Sequence, residues 1–123
     1  MSEIGQVIDA DEASFNVKYE KTLGSHLAIE IFRSLHADQK RLAVVDYAGA
    51  KPTEVDAQGL LVLATLLADR LKKATSAKRV GIVLPPGVGG VVANLAVVFA
   101  GKVPVNLNFS LGRAAVESSI DLA

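Results

Sequence analysis

Residues 80–110 read VGIVLPPGVGGVVANLAVVFAGKVPVNLNFS and contain a single charge, Lys102. The stretch has the length of a membrane span, which needs about twenty apolar residues. Its punctuation argues otherwise. Pro85 and Pro86 sit near the start, and a proline disfavours helix at the residue before it. Gly87, Gly89 and Gly90 follow, each weakening a helix. The apolar residues then separate into pieces of different length. Residues 80–84 are short and rich in β-branched side chains, which predicts a strand. Residues 91–100 have helix length, and Gly101 stands where a helix C-cap is expected. Residues 103–107 form another apolar run, and Pro104 near its beginning marks a strand start or an edge. The prediction is strand, turn, helix, strand, with no transmembrane segment.

The helix over 91–100 is apolar almost all round, with Asn94 its one polar side chain. A helix of that kind must be covered on several sides. Strands without polar alternation likewise belong to a sheet covered on both faces.

Upstream, residues 22–39 carry Leu27, Ile31 and Leu35 four apart, an amphipathic stripe with Ser25 as its expected N-cap. Residues 42–47, LAVVDY, read as a buried strand ended by Gly49, Lys51 and Pro52. Asp56 is placed to cap a helix over 57–74. Its expected core stripe is Leu60, Leu63, Leu67 and Leu71, widened by Ala64 and Leu66, with Lys72 and Lys73 in the last turn, where cations complement the helix dipole. Ser110 is the expected cap of a final helix from about residue 111. The predicted order is α-β-α-β-α-β-α. That alternation implies an α/β fold of three layers around a mainly parallel sheet, with strands 42–47, 80–84 and 103–107 as parallel neighbours.

Composition bounds the function. The 123 residues amount to about one domain. Thirteen acidic residues balance thirteen basic ones, so no electrostatic footprint for nucleic acid or anionic lipid exists. With no cysteine there are no disulfides, thiolate metal sites or cysteine nucleophiles. The N-terminal 21 residues, MSEIGQVIDADEASFNVKYEK, form an arm without the basic and apolar regions of a signal peptide. These features fit a cytoplasmic protein. Asp9, Asp11 and Glu12 lack the glycine turn and distal glutamate of a calcium loop.

Catalytic and binding motifs are scarce. Gly87, Gly89 and Gly90 lie between strand and helix, where free N–H groups favour anions. Yet Val92 replaces the last glycine of the dinucleotide pattern, no Gly-Lys-Ser/Thr follows, and Asn106 and Asn108 stand where a ribose-binding acid is needed. Close packing of the loop on the sheet is the preferred reading, a polar ligand the rival. His26 and His36 have no metal-ligand spacing and read as helix-surface residues. Asp46 and Asp56 read as a strand end and a helix cap rather than paired carboxylates. No serine lies in a nucleophile elbow. No catalytic, cofactor-binding or metal-binding residue is assigned.

The segments Thr22-Leu23-Gly24, Arg41-Leu42-Ala43-Val44-Val45-Asp46, Arg79-Val80-Gly81-Ile82-Val83-Leu84-Pro85, Asn94-Leu95-Ala96 and Ala100-Gly101-Lys102-Val103-Pro104-Val105-Asn106-Leu107-Asn108 occur in that order. Together they resemble the beginning of an adenylate-forming enzyme of the acyl-CoA synthetase superfamily. The form is most similar to the branch of acyl-acyl-carrier-protein synthetases and 2-acylglycerophosphoethanolamine acyltransferases. The resemblance covers residues 22–123 and only the first part of the family's adenylation domain. It implies a parent that uses ATP and Mg to adenylate a fatty acid and passes the acyl group to a thiol carrier or lysophospholipid. The family's Ser/Thr/Gly-rich phosphate loop with its lysine, magnesium-placing acid, ribose-binding aspartate and C-terminal-domain lysine do not occur here. The resemblance therefore implies a partial α/β domain over 22–123, cut within its last helix. It would be scaffold rather than catalyst and bind no cofactor itself, with the remainder of the parent as partner. Leu107, Phe109, Leu111 and Val116 would be uncovered by that cut, so the isolated fragment is expected to form a homodimer. The alternative is a stand-alone α/β binding or oligomerisation module.

Overall fold

A computed structural model of the protein describes residues 26–108, Ser110 and residues 112–122. The elements are α1 (Leu27–Ala37), β1 (Leu42–Asp46), β2 (Thr53–Asp56), α2 (Ala57–Ala74), β3 (Arg79–Ile82), α3 (Val88–Phe99), β4 (Val103–Asn106) and α4 (Arg113–Leu122). The fold is α/β. No helix among the described residues is long and apolar enough to cross a membrane.

The opening stretch divides as strand, turn, helix, strand. β3 and β4 pair in parallel, with Arg79 opposite Val103 and Ile82 opposite Asn106. α3 packs on this pair, burying Ile82, Ala96 and Val97. Val97 is 1% exposed, and a side chain so buried stabilises by about 1.5–3 kcal/mol relative to an exposed one. α3 starts at Val88, three residues before the predicted 91, because Gly89 and Gly90 are admitted to its first turn. It ends as expected. Gly101 adopts φ +73°, its N–H donates to the Val98 carbonyl, and the Lys102 N–H donates to that of Val97, a Schellman closure. Ile120 of α4 lines a groove on the other face of the sheet, beside Gly81, Val83 and Leu107.

The predicted single sheet requires correction. Among the described residues the strands form two two-stranded sheets, β1 with β2 and β3 with β4. β1 pairs antiparallel with β2, Asp46 opposite Thr53 and Leu42 opposite Asp56, with a bulge between Leu42 and Val44. β2 was hidden in the sequence. It has four residues behind a proline, and Val55 is its one apolar side chain. A nearby antiparallel return closes less chain than a crossover to β3, so it captures β1 first.

α2 spans Ala57–Ala74 as predicted. The Asp56 carboxylate caps it by accepting from the Gly59 N–H at 2.7 Å. Its buried face matches the expected stripe only in part: Leu60 and Ala64 are buried and Leu67 and Leu71 half-buried. Ala57, Leu60, Ala64 and Ala68 are buried against α1 and α3, whereas Leu63 and Leu66 are 45% and 60% exposed. Small side chains let α2 and α3 approach closely, Ala96 being the counterpart on α3. The core cluster joins Leu35, Ala57 and Leu60 with Ile31, Val44, Val55, Leu95 and Phe99 around them.

The terminal caps also differ. The expected cap Ser25 lies outside the described residues, and the N-cap of α1 is His26, whose Nδ1 accepts from the Ala28 N–H at 3.2 Å. Ser110 does not cap α4, since its hydroxyl and N–H both donate to Asn108 Oδ1. Leu107 and Val116 are half-buried rather than open, while Phe109 and Leu111 lie outside the described residues.

Candidate functional site

A parallel βαβ unit offers its ligand crevice beyond the carboxyl ends of the strands. Here that place is an open groove of about 810 Å³, bordered by Leu84, Pro86, Gly90, Asn94, Asn106 and Asn108. The turn from β3 into α3 forms its floor.

The turn is built around a carboxylate. Asp46, the last residue of β1, accepts from the Val88 N–H through Oδ2 at 2.9 Å and from the Ala48 N–H through Oδ1 at 2.8 Å. The first bond ties the hairpin to the start of α3. Gly87 makes this approach possible. Its φ is +146°, and a Cβ there would lie 2.5 Å from Asp46 Oδ2. The bond from Val88, then that from Ala48, hold the Asp46 carboxyl below its ordinary value of 3.8, against a smaller upward push from burial. A full negative charge therefore already sits at the N-terminus of α3, where the dipole favours an anion and a second anion would be repelled. Of the two readings of the glycine turn, this geometry carries close packing.

Asn94 explains itself in the same groove. Its Nδ2 donates to the Gly90 carbonyl at 2.9 Å and to Asn106 Oδ1 at 3.0 Å, and Asn106 Nδ2 donates back to Asn94 Oδ1 at 2.8 Å. This two-way amide pair pins α3 to β4. The sequence marked both residues but not their partnership. The signal was there: a lone amide in an apolar helix must find a partner when covered.

Asp46 and Asp56 stand at opposite ends of the hairpin, so they are not a catalytic pair. His36 is exposed and stacks on Phe32, ring centroids 5.7 Å apart. Asp9, Asp11 and Glu12 lie outside the described residues. Among the described residues no group of three His, Cys, Asp or Glu side chains could hold a metal ion. The described residues do not fit ATP or Mg: the anion seat holds Asp46, Asn94 and Asn106 bond to each other, and no acidic cluster is at hand for the cation.

A second groove, about 440 Å³, runs between α1 and α2 and is bordered by Ile29, Phe32, Thr65, Asp69, Lys72 and Phe99. Phe32 is 47% exposed in it. Neither a protein-family model nor a curated protein matches the chain.

Proposed function

We propose that the chain is the N-terminal α/β portion of an ATP-dependent acyl-activating enzyme and serves there as scaffold. The parent would convert a fatty acid to its acyl-adenylate and deliver the acyl group to a thiol carrier or lysophospholipid. The carrying observation is the state of the crevice at β3 and β4. The anion seat at the start of α3 is filled from within by Asp46, and Asn94 and Asn106 satisfy each other, which supports leaving the binding of ATP to other parts of the parent. The setting proposed is cytoplasmic. In isolation the chain would bury its exposed apolar side chains as a homodimer.

Pyrophosphate exchange with ATP and a panel of fatty acids tests this. The chain alone is expected to give no signal. ATP-dependent exchange by this chain, abolished by a point substitution within it, would overturn the scaffold role. A second reading, a stand-alone binding or oligomerisation module, is favoured by the open groove at Ile29 and Phe32. A monomer at every concentration in sedimentation would refute self-association in either reading.

A further inference from the structure

The face of the β3–β4 sheet turned away from α3 sets one cation among apolar side chains. Alternate residues of a strand share a face. Ile82 is buried on the α3 side, so Arg79, Gly81 and Val83 take the other. Val105 stands opposite Gly81 in the parallel register, and Leu107 follows it two residues on. Together with Ile120 of α4, these residues border a groove of about 450 Å³. Gly81 keeps its floor low, since a Cβ there would already lie 3.3 Å from Leu107 Cδ1. A small-molecule site is typically about 300–1,000 Å³ and mostly apolar, with a few polar groups that orient the ligand.

Among the described residues Arg79 is the one charged side chain on that border. The ion pairs among them are Arg33 with Glu30 and Arg113 with Glu117, so the Arg79 guanidinium has no carboxylate partner there. Asp121 follows Ile120 in α4 and does not pair with it. Further positive charge gathers at the same end. Lys78 precedes Arg79, and Lys102 reaches across to donate to the Ala77 carbonyl.

We propose that this groove binds a single-chain aliphatic carboxylate, its head on Arg79 and its tail running along β3 toward Val83 and Leu107. Charge selects the head. A guanidinium fork takes a carboxylate through two parallel N–H···O bonds, whereas a cationic head is repelled and a neutral one leaves the guanidinium unpaired. Length selects the tail. A strand rises about 3.3 Å per residue, so Arg79 to Val83 covers about 13 Å, the reach of an extended chain of about ten carbons. The wall made by Ile120 suits one chain lying in the groove rather than a flat bilayer surface. The inference stands apart from the acyl-activating reading. The groove is on a different face from the crevice beside Asn94 and Asn106, and its test uses no ATP, so either can fail without the other.

Decanoate, kept below its micelle concentration, is the probe, and the full 123-residue protein is titrated with it by calorimetry and amide chemical shifts. Saturable binding is expected, with the largest shifts at Gly81, Val83, Val105 and Leu107. Decanol and decyltrimethylammonium should bind more weakly by about three- to tenfold, the worth of an exposed charge-assisted contact. Arg79→Gln should weaken decanoate by the same factor and leave decanol unchanged. Gly81→Val fills the floor and should weaken decanoate and decanol alike, with its urea midpoint showing that it is folded. Arg79→Gln changes an exposed side chain and decides the matter even where Gly81→Val does not fold. No saturable binding, equal affinity for decanol and decanoate, an unchanged affinity in Arg79→Gln, or shifts centred on another face would each overturn the proposal.

Discussion

Replacing Gly87 with alanine tests the junction between the hairpin and the βαβ unit. At φ +146° and ψ −172°, Gly87 occupies backbone space essentially reserved for glycine. Holding alanine there costs about 1–3 kcal/mol. The added Cβ would also lie 2.5 Å from Asp46 Oδ2 and 3.2 Å from its Cγ, so the carboxylate must swing away from the Val88 N–H. Strain alone takes a sizeable part of a domain stability of about 5–15 kcal/mol. With a urea slope of about 1–2 kcal/mol/M, the unfolding midpoint should fall by roughly 0.5–3 M. Gly87→Ala and Asp46→Ala should combine less than additively, because the first has already broken the bond that the second removes. The reasoning fails if Gly87→Ala moves the midpoint by less than about 0.2 M with an unchanged slope, or if the two changes simply add.

Acid titration of stability should carry the signature of Asp46. Its folded pKa is lowered, so its contribution is complete above the ordinary 3.8 and is lost as pH falls through the lower folded value; Asp46→Asn should remove that part of the acid limb in urea midpoints measured by pH. Asn94→Ala removes the amide pair with Asn106 and the bond to the Gly90 carbonyl, and since Asn106 is exposed it should cost about 0.5–1.5 kcal/mol by chemical denaturation. Ala64→Leu forces bulk into a fully covered seam between α2 and α3 and should cost about 1–3 kcal/mol, whereas Leu122→Ala, 88% exposed, should stay within about 0.5 kcal/mol in the same assay.

What could be read in advance depended on how locally each feature is encoded. α2 was legible to the residue because Asp56 and the two terminal lysines mark its ends within the helix itself. The β3–α3–β4 unit was legible because prolines and glycines cut one apolar stretch into pieces of distinct length. The partner of β1 was not. Residues 53–56 have too little apolar pattern to announce a strand, and their pairing is decided by the returning hairpin. The buried face of α2 was misplaced in part, at Leu63 and Leu66, for a different reason. Leucine is the stronger apolar signal, but the tight contact with α3 selects alanine, and size complementarity does not show in periodicity. At the candidate site the glycine turn was visible, yet its occupant lies 42 residues away in sequence, and only the folded chain brings it there.

The same separation has a kinetic consequence. The hairpin and each helix close over short stretches of chain, and such local events take about a microsecond. The link from Asp46 to Val88 requires the hairpin, α2 and the turn before α3 to be in place first, so it belongs to the late, downhill side of the folding barrier. Loosening it should therefore leave the folding limb of a chevron nearly unmoved and raise the unfolding limb. The lifetime of the native state, rather than the speed of reaching it, is what this carboxylate sets.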